Sequence, residues 1–159
     1  MDSSYFNMDS FKEDNIRAVD AKFEAQKIAF APLCFQAVRA MLELGLLKAI
    51  EDSGDDGISR KELAQKTGVS EYGAGVLCEM MLGMNVIKLA KQADEERFVI
   101  GKTGWMLLED DLTKVNFWFT NDICYQGAWD LTASVKNGKP EGLKVFGDKW
   151  TTVYEALST

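Results

Sequence analysis

The chain has no histidine among its 159 residues. That removes the commonest general base and metal ligand, and rules out a Ser-His-Asp or Cys-His pair within the chain. Cysteine is scarce too. The 3 cysteines, Cys34, Cys78 and Cys124, form an odd set without the spacing of a disulfide framework or a zinc site. Each sits in an apolar helical context, so buried, reduced thiols are expected. Positive charge is also short: 18 Lys+Arg against 25 Asp+Glu leave a formal net charge of −7, a surface that nucleic acid repels. No run approaches the roughly 20 apolar residues needed to cross a bilayer. The N-terminus, Met1-Asp-Ser-Ser-Tyr-Phe6, lacks the basic-then-apolar pattern of a signal peptide. A cytoplasmic protein with neither membrane nor nucleic-acid partner is expected.

What is present suffices for one good core, or for one domain with an extended arm. The hydrophobic share is 47%, ordinary for a globular chain. Residues 1–9 read as a flexible tail. Beyond it Ile16, Val19, Phe23 and Phe30 fall at helical spacing, which predicts an N-terminal arm helix over 10–30. Pro32 suits the first turn of a following helix from Ala31 to Ile50, broken or kinked at Gly45. Leu33, Phe35, Val38, Met41, Leu42 and Leu46 cover more than one face of that helix. A helix apolar on every side must be covered on every side, and a second copy of the chain is expected to supply the cover.

A helix-turn-helix with a wing follows, and the unit spans 31–111. Gly54-Asp-Asp-Gly57 reads as a turn, and Ser59 with Glu62 as a capping box opening a short helix that stops at Gly68. Ser70 caps the next helix, with Val76, Leu77, Met80 and Met81 inward. A β-hairpin then pairs Val86–Ala90 with Phe98–Gly101 around a tip at Gln92–Glu96, and Thr103 caps a further short helix. DNA readout needs cations and Arg, Lys, Asn or Gln at the start of the second helix. That helix carries Glu71 and Glu79 and no Lys or Arg before Lys88, and the wing tip holds Asp94, Glu95 and Glu96 against Arg97. The unit therefore reads as structural. A helix rich in aromatics is expected from Leu112 to Lys136, ended by Asn137-Gly138, and 112–159 as a whole reads as an aromatic helix and connector. Phe117, Trp118, Phe119, Tyr125 and Trp129 occupy several faces of it. They serve a core and dimer interface, or some line a flat apolar cavity with Thr120, Asn121 or Asp122 as polar handles. Glu109-Asp110-Asp111 reads as a solvated helix cap, and Gly101-Lys-Thr-Gly104 lacks the spacing of a phosphate loop. No catalytic or metal-ligating set is expected.

Several stretches together resemble a known family. Ala40-Met-Leu-Glu-Leu-Gly-Leu-Leu-Lys-Ala-Ile50, Ile58-Ser-Arg-Lys-Glu-Leu-Ala64 and Thr67-Gly-Val-Ser70 are similar to the dimer helix and winged-helix entry of class I S-adenosylmethionine-dependent O-methyltransferases. This group includes plant caffeate and flavonoid methyltransferases and bacterial antibiotic-tailoring relatives. Arg97-Phe-Val-Ile-Gly-Lys-Thr-Gly104, Asn121-Asp122, Gly138-Lys-Pro140 and Val145-Phe-Gly147 resemble that family's hairpin and the helix and loop before its catalytic domain. Gly101 stands where the family's Thr-x-x-Gly would have Thr, and Asn121 where it often has histidine. The resemblance implies a mainly α winged-helix-like domain with one β-hairpin, forming an intertwined homodimer over the pocket of a catalytic domain that follows. S-adenosylmethionine would be held by that domain and not by this chain. Phe119, Thr120 and Asn121, with Gln36 and Phe35, match substrate-lining positions for a small, aromatic acceptor. Phe30, Leu33, Val38, Met41 and Leu42 would line the dimer interface. The alternatives are a winged-helix transcription regulator and a stand-alone dimeric small-molecule binder. The ending at Tyr154-Glu-Ala-Leu-Ser-Thr159 reads as a truncation, which favours the methyltransferase arm.

Overall fold

The computed structural model describes residues 12–91, 93–147 and 149–158. The tail expected at 1–9 and Gln92 at the hairpin tip lie outside the described residues. Helix α1 runs unbroken over Ala18–Glu43, 26 residues with Pro32 inside it, and so is about 39 Å long. This corrects the expectation of one helix ending at Phe30 and another beginning at Ala31. Proline's fixed φ is itself helical, and what it removes is the amide that would reach the Ile28 carbonyl. Ile28 and Pro32 are both exposed, so water can satisfy that carbonyl and the helix continues. It ends where Gly45 adopts φ 71°, and α2, Leu46–Glu51, leaves in a new direction.

Local chemistry sets the next elements. Ser59 accepts from the Glu62 amide and the Glu62 carboxylate reaches back to the Ser59 amide at 2.8 Å, a reciprocal cap that starts α3, Arg60–Thr67. Gly68, at φ 76°, ends it. Ser70 accepts from the Gly73 amide at 3.0 Å and starts α4, Glu71–Gly83. Strands β1, Ile87–Leu89, and β2, Phe98–Ile100, pair antiparallel with Lys88 opposite Val99. Ile58 bridges the other edge of β2: its amide donates to the Phe98 carbonyl at 3.0 Å, and its carbonyl accepts from the Phe98 amide at 2.8 Å.

These elements enclose one core. Met41, Leu46, Leu47, Ile50, Leu63, Met81, Ile87 and Phe98 have essentially no exposed surface. Val38 and Met41 belong to this core, which corrects their assignment to the dimer interface: the chain's own α2 and α4 side already cover them. Val76 points outward, 46% exposed, whereas Ala74 and Cys78 take the inward positions of α4.

The C-terminal third is built differently. Helix α5, Lys102–Glu109, starts at Gly101 without a side-chain cap, so Thr103 is not the cap expected of it. Asp110 caps α6, Asp111–Phe119, by accepting from the Thr113 amide and hydroxyl at 2.8 and 2.7 Å. The single helix expected to Lys136 then breaks. Thr120–Cys124 forms a π turn, followed by the one-turn α7, Tyr125–Gly127, and by α8, Leu131–Asn137, which stops at Gly138 with φ 66°. A 3-10 segment, Glu141–Phe146, folds back on α7. There Gly142 meets Gly127 backbone to backbone: a Cβ on Gly142 would lie 2.8 Å from the Gly127 carbonyl carbon. The last element is α9, Val153–Leu157. Among the described residues no helix is long and apolar enough to cross a membrane.

Candidate functional site

The aromatic residues of α6 and α7 meet α1 at one place. The Phe35 ring stacks on Phe117 with centroids 4.5 Å apart, and on Tyr125 at 5.1 Å. Trp118 meets Phe117 edge-on at 5.4 Å. The Tyr125 hydroxyl donates to the Pro32 carbonyl at 3.2 Å. Such stacks add to the burial of their own apolar area, so this cluster ties the C-terminal third to α1. Phe117 and Tyr125 were expected only as members of the aromatic set that serves a core or lines a cavity, and Pro32 was not among the expected site residues. Periodicity could not have paired the two rings, because Phe117 and Tyr125 are eight residues apart and an unbroken helix would turn them roughly 80° away from each other.

Of the five residues expected to line a substrate, Phe35 is the centre of this stack. Gln36 follows it on α1, where its side-chain oxygen accepts from Arg39 at 3.4 Å, while Arg39 also donates to Glu43 at 2.9 Å. Thr120 and Asn121 lie half-buried in the π turn, and the Asn121 amide donates to the Asp122 carboxylate at 2.7 Å. Phe119 precedes the turn and is 43% exposed. Of the expected dimer contacts, Phe30 and Leu33 are exposed, as are Val19, Phe23 and Ile28 on the same helix, and Leu42 is partly covered by the core.

Two open depressions of the surface lie elsewhere. One of about 800 Å³ runs beside the hairpin between Asp56, Lys88, Leu89, Arg97 and Val99. A second, of about 540 Å³, lies between Ile58, Glu62, Lys66 and Arg97. Arg97 separates them and is already engaged: it donates to the carbonyls of Asp56 and Gly57 at 3.0 and 2.9 Å and pairs with Glu95 and Glu62, each at 2.9 Å. Hydrogen bonds from the Ser59 amide and hydroxyl, with Arg97 beside them, hold the Glu62 carboxyl below the usual carboxylate range. This is a structural knot between α3 and the hairpin. The cysteines differ from one another: Cys78 is buried, Cys34 half-buried and Cys124 exposed, so the expectation of three buried thiols fails at Cys124. Burial pushes the Cys78 thiol up to about 12. Among the described residues no group of three or more His, Cys, Asp or Glu side chains is placed to hold a metal. The rings of Phe35, Phe117, Trp118 and Tyr125 pack on one another, with Gln36, Thr120 and Asn121 on the elements that carry them.

Comparison with known proteins agrees with this architecture. Residues 22–98 match the family model described as a Dimerisation2-like domain. No curated protein matches the chain significantly. Among solved structures the fold is shared with the S-adenosylmethionine-dependent methyltransferase SibL in its apo form (TM-score 0.68, 21% identity, covering 83% of this chain and 38% of that one). It is shared with human N-acetylserotonin methyltransferase in complex with S-adenosylmethionine (0.66, 18%, 99% and 42%). The complex of LepI with S-adenosylmethionine is also similar (0.71, 13%, 96% and 39%). The chain thus spans about two fifths of the length of these proteins. Residues 22–98 are thus similar to a Dimerisation2-like domain, and the chain shares its fold with part of S-adenosylmethionine-dependent methyltransferase structures.

Proposed function

We propose that this chain is the dimerisation and pocket-covering part of a methyltransferase that acts on the hydroxyl of a small, aromatic acceptor. The observation that carries the reading is the conjunction of the family match over 22–98 with an arm left uncovered by its own chain. From Lys22 to Leu33 every residue of α1 is exposed, Phe23, Ile28, Phe30 and Leu33 included. A second copy of the chain would cover that arm, giving an intertwined homodimer in which α3, α4 and the hairpin act as a structural winged helix. Phe35, Gln36, Phe119, Thr120 and Asn121 would close over the acceptor. S-adenosylmethionine would bind a catalytic domain C-terminal to this chain and not the chain itself. Such a cover contributes desolvation and orientation of the acceptor oxygen toward the methyl group. Free thiols fit a cytoplasmic setting.

The test combines the intact mass of the natural polypeptide, its solution mass by light scattering and a calorimetric titration with S-adenosylmethionine. A polypeptide larger by a domain of ~150–200 residues, dimeric and binding the cofactor, is the expected result. A monomer, or a natural product ending near Thr159 that binds no cofactor, overturns the reading.

A further inference from the structure

We propose that Phe35 and Tyr125 form a clip that holds the π turn Thr120–Cys124 in place, and that the clip sets how Thr120 and Asn121 are presented to a ligand. The second half of this proposal rests on the pocket-cover reading above; the first half does not. The argument starts from rotation. In an unbroken α-helix, residue 125 would lie roughly 80° round the axis from residue 117. A π turn carries about one extra residue, which takes back roughly 100°. The two rings then fall within about 20° of a common face, and both do meet Phe35, at 4.5 and 5.1 Å. The π turn is thus what allows one ring on α1 to stack with two rings on α6 and α7.

The converse also holds. π turns are rare within α-helices, so this one is read as held by contacts from outside itself. Those contacts are the Phe35–Tyr125 stack and the Tyr125 hydroxyl on the Pro32 carbonyl at 3.2 Å. If they were lost, the turn could relax to α-helical register. The residues after Thr120 would then rotate progressively, by up to roughly 100° at the far end. The unit locked by the backbone contact of Gly127 with Gly142 would swing with them. Tyr125 is therefore a positioning residue that acts through the turn.

Amide hydrogen exchange in the full-length protein tests the clip without any ligand. Tyr125→Phe keeps the ring and removes the hydroxyl, and should speed exchange at residues 121–125 about fivefold. Tyr125→Leu removes the stack as well and should speed it at least about tenfold, with the amides of α3 and α4 unchanged. Equal rates in Tyr125→Leu and wild type, or an acceleration spread evenly over α3 and α4, overturn the clip. Methyl transfer from S-adenosylmethionine to caffeate, used as the probe acceptor, tests the presentation. Tyr125→Leu should raise KM about 3–10-fold with kcat within about twofold, as expected when uniform binding is lost. Faster local exchange with an unmoved KM overturns the positioning role. A wild-type protein that transfers no methyl group counts against the methyltransferase reading, and the exchange rates decide the clip in either case.

Discussion

Gly104 offers the sharpest test of how the hairpin is seated on α5. A Cβ there would lie 2.6 Å from Ile100 Cδ1, 3.3 Å from Val86 Cγ1 and closer still to the Val86 carbonyl oxygen. That oxygen cannot retreat easily, because it accepts from the Gly101 amide at 3.0 Å while the Val86 amide donates to Met81 at 2.9 Å. Gly104→Ala gains up to about 1 kcal/mol of helix propensity. Overpacking against a pinned backbone costs at least the roughly 3 kcal/mol at the upper end of core overpacking. The net expectation is a loss of about 2–3 kcal/mol, or roughly 4–12 °C in Tm for a chain of this size. The matching control is Gly83→Ala, where a Cβ at the last residue of α4 meets nothing within 4 Å; it should be neutral or slightly stabilising. Both variants are compared with the parent by urea and thermal denaturation at one protein concentration, since dimerisation would make Tm depend on it. If Gly104→Ala matches Gly83→Ala, the close approach of α5 to Val86 is not what requires glycine.

Phe23, 63% exposed on the arm, should be essential to self-association if the arm is the interface. Phe23→Asp is expected to halve the mass seen by light scattering while leaving the far-ultraviolet circular dichroism intact, and a persistent dimer would place the interface elsewhere. The Glu62 carboxyl is held below its ordinary value near 4.5 by the Ser59 amide, the Ser59 hydroxyl and Arg97; that of Asp110 is held below 3.8 by the Thr113 hydroxyl and amide. The native state therefore binds fewer protons than the unfolded one in acid. Their stabilisation is present above the unfolded values and is lost as pH falls through the lower folded ones. Tm should stay level from pH 7 to about pH 5 and then drop, less steeply in Glu62→Gln; a rise on acidification refutes the sign. Iodoacetamide at pH 8 should label the exposed Cys124 and spare Cys78, which burial holds unreactive at a pKa of about 12, as peptide mass mapping would show. On the pocket-cover proposal, Phe119→Ala in the full-length protein should raise KM for the acceptor and leave S-adenosylmethionine affinity unchanged; unaltered acceptor kinetics would remove Phe119 from the lining.

The parts that were legible in the sequence are those decided locally. Ser59 and Glu62, Ser70, Gly68 and Gly138 each act within four residues, and each stands where the spacing placed it. The hairpin was legible because alternation and an acidic tip bounded it. Pro32 misled because proline is as compatible with the interior of an exposed helix as with a first turn when water can satisfy the freed carbonyl. Val38 and Met41 misled because a helix with apolar residues on all sides does not say which side its own chain covers. The π turn was illegible altogether. No residue in Thr120–Cys124 demands it, and the stacks that compensate for it involve Phe35, more than eighty positions earlier in the chain. The helical aromatic region was therefore found, while its register and partners were not.

The same pairing logic explains how α3, α4 and the hairpin are tied together. Arg60 lies flat on α4: a Cβ on Gly75 would be 2.7 Å from its Nη1. Its guanidinium reaches Glu96 of the hairpin at 3.0 Å and Glu79 of α4 at 3.6 Å. Arg97 binds the Asp56 and Gly57 carbonyls and the Glu62 carboxylate. Both guanidiniums are turned onto the protein, where they lash α3, α4 and the hairpin together. Each pair is too exposed to contribute much on its own. Arg97 is a separate case, because the two carbonyls it satisfies lie in the turn that brings Ile58 to Phe98. What α4 leaves facing outward is Glu71, Tyr72, Val76, Glu79 and Gly83, with no cation among them and apolar surface at Tyr72 and Val76. The contacts that turn Arg60 and Arg97 onto the protein also hold the hairpin, so a substitution that frees either guanidinium should loosen the hairpin.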